Sequence, residues 1–212
     1  MGKMTTDFMR GQWEGIKRLG NYYIGIDTIY STVSINPNTL FPTSYSFFTA
    51  GITDGLTYAQ TNLDSGSRLN NNDIFLVREV AFEFWKTAAD ADVNFLSNGC
   101  YLEWWFYGNR FLIGKLEDYP AGSQVYTSAV ANLGTAVAVA GLGPVVSTVN
   151  GMPTIHNAMN IGEPGLLLQG NDSFKAVLNN AAAPYTTALA ANGGTGITMT
   201  AKLRGYRARQ IS

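Results

Sequence analysis

The sequence predicts an all-β fold, an antiparallel two-sheet sandwich with a short helical arm at its N-terminus. Three observations carry this. Apolar residues alternate with polar ones in long stretches, most clearly in Ile197–Arg204, where Ile197, Met199, Ala201 and Leu203 share one face and Thr198, Thr200, Lys202 and Arg204 the other. Polar clusters rich in Asn, Gly, Asp and Ser separate these stretches. Strand patterns do not alternate with helical ones, which argues against a parallel α/β sheet. Roughly seven to ten strands are expected, and long connections between short hairpins favour a jelly roll over an up-and-down barrel.

The longest apolar stretch is Ile74–Trp85. Its even positions, Ile74, Leu76, Arg78, Val80, Phe82 and Phe84, are apolar except for Arg78 and are expected to form a core face. Its odd positions set Glu79 and Glu83 among Phe75, Val77, Ala81 and Trp85, a mixed face for solvent or a neighbouring subunit.

Residues 1–20 form the arm and residues 21–212 the single sandwich domain. Within the arm Met9, Trp13 and Ile16 follow the i, i+4, i+7 spacing of one helical stripe. Gly11 and Gly15 weaken that helix by about 1 kcal/mol each. Lys3, Arg10, Lys17 and Arg18 outnumber Asp7 and Glu14. Such a segment either orders on a partner, another subunit or an anionic membrane face, or packs on its own domain. Tyr22–Ile35 and Tyr45–Thr49 read as strands. Thr61–Asp73 reads as a polar loop without the residue order of a calcium site. A break is expected over Lys86–Asn94, then a strand over Tyr101–Tyr107 with Leu102, Trp104 and Phe106 on one face. Gly108-Asn109 fits a hairpin turn into Arg110–Ile113.

Tyr119–Gly162 contains no Asp, Glu, Lys or Arg. Its glycines, Pro144 and lack of bulky apolar residues argue against a membrane-spanning helix and for a neutral excursion packed on a neighbour. Gly165–Leu168 and Ser173–Leu178 follow as strands, bounded by turns at Gly170-Asn171 and Asn179-Asn180. Lys202, Arg204, Arg207 and Arg209 give the closing strand a basic face, read as solvated or ion-paired between subunits rather than specific for nucleic acid.

Composition narrows the function classes. Charged residues are 14% of the chain against about a quarter in ordinary domains, and the net charge is −1. Much neutral surface is left for other subunits to cover, and no overall field draws in nucleic acid. No secretory signal is visible in the first twenty residues. Cys100 reads as a small buried hydrophobe, and one Cys with one His, His156, makes neither a zinc site nor a catalytic pair. Glu79 and Glu83 lie about 13 Å apart along one strand, too far for a glycosidase pair, while Glu103 could approach either from a paired strand. Pairing of the glutamates with Arg78 or Arg110 is the reading preferred. No cofactor, metal or catalytic residue is expected. Trp85, Trp105 and Tyr107 could form a sugar platform, which makes a carbohydrate-binding sandwich the alternative function.

Three segments carry a family resemblance. They are Thr61-Asn62-Leu63 with Gly66 and Leu69 leading into Phe75-Leu76-Val77; Tyr101–Tyr107 followed by Arg110-Phe111-Leu112 and Asp118-Tyr119-Pro120-Ala121-Gly122; and Asn171-Asp172-Ser173-Phe174 with the closing Leu203-Arg204-Gly205-Tyr206-Arg207. With these the chain resembles the single jelly-roll capsid proteins of tailless icosahedral viruses, especially those infecting bacteria. The resemblance implies a shell subunit of the virion, made in the host cytoplasm, that self-assembles in many copies with other virion proteins. It also implies an inner viral membrane within reach of the arm. Met9, Trp13, Ile16, Lys17 and Arg18 would then make subunit or membrane contacts, and Arg204, Arg207 and Arg209 subunit contacts.

Overall fold

The computed structural model describes residues 6–18, 20–84, 90–119, 158–181, 184–188 and 196–210. The expectations for Trp85, His156 and the neutral run over 120–157 lie outside the described residues, as does the side chain of Met9.

Helix α1 (Thr6–Arg18) precedes strand β1 (Tyr22–Ile35). The remaining elements are β2 (Ser44–Phe47), β3 (Asp73–Phe84), α2 (Asp90–Gly99), β4 (Cys100–Phe106), β5 (Asn109–Lys115), β6 (Met159–Asn160), β7 (Leu166–Gln169), β8 (Phe174–Asn180) and β9 (Ile197–Gln210). They form two antiparallel sheets. In the larger, β9 lies between β1 and β3, and β6 and β7 both pair with the far edge of β3. The smaller runs β2-β8-β4-β5. The β4–β5 hairpin stays within one sheet, while every other step between successive strands from β1 to β5, and from β7 to β9, crosses to the other sheet. The β-sandwich predicted from period-two burial is therefore present.

Both sheets turn apolar faces inward. Ile29, Val80, Phe82, Met199, Ala201 and Leu203 come from the larger sheet, and Phe47, Leu102, Trp104, Phe174, Ala176 and Leu178 from the smaller. Phe47 and Phe82 meet edge to face across the gap, with ring centroids 5.5 Å apart. Each fully buried aromatic or aliphatic side chain here contributes about 1.5–3 kcal/mol relative to exposure. Leu102, Trp104 and Phe106 share the inner face of β4, and Cys100 is buried, as their spacing predicts. Burial pushes the Cys100 thiol up to about 12, so it stays protonated and inert near neutral pH.

The single core face expected of Ile74–Phe84 needs correction. Val80, Phe82 and Phe84 do line the core, but so do Phe75 and Val77, whereas Leu76 belongs to a separate cluster on the outer face. The pairing of β3 with β9 shifts between Val77 and Glu79, where Arg78 is the extra residue. One inserted residue reverses which parity faces inward. Two glycines make room for it. A Cβ on Gly205 of β9 would overlap the Leu76 carbonyl, and one on Gly165, just before β7, would overlap the Val77 carbonyl. The Arg78 side chain leaves the sheet and holds the chain between β6 and β7, donating from Nη1 to the Pro164 carbonyl (3.1 Å) and from Nη2 to Glu163 Oε1 (2.7 Å).

Three further differences have local causes. Residues 90–99, expected as a break and a turn, include a ten-residue helix. Asp92 anchors it, fully buried, with Oδ1 accepting from the Tyr185 hydroxyl (2.6 Å) and the Ala188 amide (2.9 Å). Phe95 stacks on Tyr185 at 4.0 Å and meets Phe41 edge-on. The β4–β5 turn is centred one residue earlier than expected. Tyr107 and Gly108 both take positive φ (53° and 74°), the geometry of a two-residue hairpin turn. The closing strand continues past Arg204 to Gln210 and spans the whole of β1.

Replacing Gly205 with alanine drives a methyl group into the β3 backbone where it cannot yield. Gly205→Ala is expected to destabilise the domain by about 3 kcal/mol in urea unfolding, against no loss for Gly15→Ala, where a Cβ meets open space on the exposed side of α1 and alanine favours the helix.

Candidate functional site

The outer face of the larger sheet is divided by its residues into two halves. In β9 the even positions point outward throughout. Thr198, Thr200, Lys202 and Arg204 come first, then Tyr206 and Ala208. Opposite them β3 sets Glu83, Ala81 and Glu79 on one side of the bulge and Leu76 and Ile74 on the other. One half is polar, with Glu83 bonded to Lys202 and Thr32 to Thr200. The other is apolar, built from Leu76, Leu167 and Ala208 with Tyr22, Ile24 and Ile74 beside them.

Helix α1 lies on the apolar half. Trp13 and Ile16 are both buried there, and the Trp13 ring is 6.2 Å from that of Tyr206. Of the two readings of the arm, packing on its own domain is the one found. Trp13 and Ile16 of the apolar stripe are spent within the chain. What α1 turns outward is charged: Arg10, Glu14, Lys17 and Arg18 are exposed, Lys17 is 2.8 Å from Glu14, and Arg10 reaches Glu163 at 4.0 Å. Between α1, the sheet and the Glu163-Pro164 turn remains a groove of about 400 Å³, lined by Trp13, Ile24, Leu76, Arg78 and Tyr206 among others.

At the end of the sheet the basic strand face departs from expectation. Arg207 is not on a solvated surface. Its side chain is only 7% exposed and lies between two carboxylates. Nε donates to Asp73 Oδ2 at 3.0 Å, Nη2 bonds the same carboxylate, and Nη1 donates to Asp27 Oδ2 at 3.1 Å. The register explains this. Tyr206 and Arg207 must face opposite sides, and the inner side here lies beyond the sandwich core, where β1 and β3 supply Asp27 and Asp73. Arg207 thus ties three strands of one chain together. Arg204 is half-buried and engaged within the chain, while Arg209 is exposed, its Nε 3.8 Å from Asp73 Oδ1. Sequence reasoning missed the Asp27–Arg207–Asp73 group, although Asp27, the one charge within Tyr22–Ile35, and Asp73, just before Ile74–Trp85, were visible.

The remaining candidates are dispersed. Trp105 and Tyr107 do not share a platform. Trp105 sits on the outer face of the smaller sheet, its Nε1 donating to Glu103 (2.9 Å) and Lys175 Nζ 5.2 Å from its ring centre. Tyr107 packs against the core, and its hydroxyl donates to the Leu167 carbonyl of the larger sheet. The approach of Glu103 to Glu79 or Glu83 is also corrected. Strands β3 and β4 belong to different sheets, and Glu103 pairs with Arg110 (3.1 Å) on the opposite side of the sandwich. Arg78 pairs with Glu163 rather than with Glu79. Among the described residues no group of His, Cys, Asp and Glu is arranged to hold a metal, and no helix is long and apolar enough to cross a membrane.

The fold and its surface define an all-β sandwich protein whose own helix covers part of the apolar half of one sheet's outer face. No protein-family model, curated protein or solved structure matches the chain.

Breaking the buried ion group leaves carboxylates without their cation. Arg207→Leu is expected to cost about 3 kcal/mol in chemical denaturation, and the triple change with Asp27→Asn and Asp73→Asn to recover part of that loss.

Proposed function

We propose that this chain is a structural virion protein, a jelly-roll subunit that assembles in many copies into an icosahedral shell. The observation that carries the reading is the strand order. With β6 and β7 taken as one interrupted strand, eight strands fall into the orders β1-β9-β3-β7 and β2-β8-β4-β5. That is the arrangement expected of a double Greek key, an architecture used by viral shells and lectins alike.

The surface favours the shell over the sugar-binding alternative. Tyr23, Ile26, Leu40 and Tyr58 are each more than 60% exposed. They are spread over several edges and loops, as contacts to several neighbours require, and apolar surface of this kind gains by burial between copies. Trp105 and Tyr107, the two described side chains offered for sugar binding, do not share a face, so nothing specific among the described residues favours that reading. For the arm, the exposed Arg10, Lys17 and Arg18 fit an anionic membrane by charge, with Trp13 and Ile16 committed to the sheet.

The purified full chain is expected to form capsomers or closed particles, seen by light scattering after size exclusion and by negative-stain electron microscopy. Deleting residues 1–18 uncovers Leu76, Leu167 and Ala208 but leaves the two-sheet core. The truncated chain should keep its β circular dichroism while losing ordered particles. A strict monomer at every concentration and ionic strength contradicts the proposal.

A further inference from the structure

A sheet must satisfy the hydrogen-bonding groups along its edges or discourage other chains from pairing with them, and three of the four edges here do one or the other. On β7 the Leu167 carbonyl accepts from the Tyr107 hydroxyl and the Gln169 amide donates to Asp172 Oδ2 (2.7 Å). Strand β2 is only four residues long. Strand β5 carries a register irregularity beside Trp105 and the charges of Arg110 and Lys115. Short strands, bulges and edge charges all discourage pairing with another chain.

The fourth edge, β1, is protected along half its length. Its even residues turn their backbone groups away from β9. The Thr28 carbonyl accepts from Asn62 Nδ2 (2.7 Å), the Tyr30 amide donates to Asn62 Oδ1 (3.0 Å), and the Thr32 amide donates to the Gln60 carbonyl (2.6 Å). The same parity turns the backbone groups of Tyr22, Ile24 and Ile26 outward. Among the described residues nothing takes up those of Ile24 and Ile26. This half holds no charge, proline or bulge from Tyr22 to Ile26, and Ile26 is 85% exposed.

We infer that the Tyr22–Ile26 edge pairs antiparallel with the same edge of a second copy, joining two larger sheets into one across a two-fold axis at Ile24. The segment is self-complementary in that register. Tyr22 faces Ile26 of the partner subunit on the outer side, and Tyr23 faces Gly25 of the partner subunit on the other. No two like charges meet, since Asp27 falls opposite the uncharged Asn21 of the partner subunit. The apolar row Ile74–Ala208–Ile24 of one copy then runs through the axis into the same row of the next. A C2 contact of this kind is isologous, which a closed dimer within a larger assembly requires. The inference deepens the shell reading and rests on it for the identity of the partner.

Two substitutions address the edge without touching the sandwich. Ile26→Pro removes an amide that points away from β9, at a residue that is 85% exposed, so the β1–β9 ladder and the seat of α1 both survive. Ile26→Lys places a charge on a side chain that is already exposed. Each should weaken association at least about tenfold in sedimentation velocity of the full chain. Ile24→Cys should give one oxidised chain pair, because the paired Cα atoms would lie about 5.5 Å apart, within disulfide reach, while Cys100 is buried. Assembly unaffected by both edge variants, with no cross-linked pair, overturns this inference and leaves the shell reading standing. A wild-type chain that never associates overturns both.

Discussion

Gly205 has no side chain, and the β3 backbone occupies the space that one would fill. Gly165 plays the same part from the other side, so β3 is flanked at its irregular point by two residues that permit close approach. The extra residue between them, Arg78, lets Phe75 and Val77 enter the core beside Val80, Phe82 and Phe84. An unbroken strand would have turned one of these sets to solvent. The same shift puts Leu76 on the outer face and gives α1 a surface to bind. It also coincides with the gap between β6 and β7, which the Arg78 guanidinium spans to reach Glu163 and the Pro164 carbonyl.

From that one irregularity the outer surface acquires two characters. The polar half is stitched by Glu83 with Lys202 and by hydroxyl pairs of modest strength. The apolar half must be covered, and α1 covers only part of it, leaving Tyr206 and Ile26 exposed toward the β1 edge. A folded monomer that leaves apolar side chains beside unpaired backbone is a good component for assembly, since burial and hydrogen bonding are both gained on contact. The buried Asp27–Arg207–Asp73 group holds β1, β9 and β3 together at the same end of the sheet. It keeps that edge in place.

The sandwich was legible because burial in a two-layer fold has period two, and β4 and β9 follow it with little interruption. The arm was legible as a helix from the spacing of Trp13 and Ile16, but not its partner, since an apolar stripe does not say what covers it. Arg78 stood out as the lone polar residue on a supposed core face, and it marks the bulge. Reading it so required knowing that Gly205 and Gly165 lie beside it, which only pairing reveals. Helix α2 escaped because its short run lacks a clean stripe and is held by Asp92 contacts to residues over ninety positions away. Reading Arg207 with Lys202 and Arg204 as one basic face passes over its odd position, which alternation turns to the opposite side, and no single strand shows the two carboxylates waiting there. The separation of Glu103 from Glu79 and Glu83 follows from sheet membership, which a single sequence does not encode locally.

The β3 register is tested most directly by cross-strand proton contacts in nuclear magnetic resonance of the isotopically labelled protein. Backbone contacts should join Val77 to Gly205 and Glu79 to Arg204, with Arg78 left over between them. Contacts that run on evenly, setting Arg78 opposite Arg204 and Glu79 opposite Leu203, would show an unbroken strand and contradict the division of the sheet on which the covered and open halves both depend.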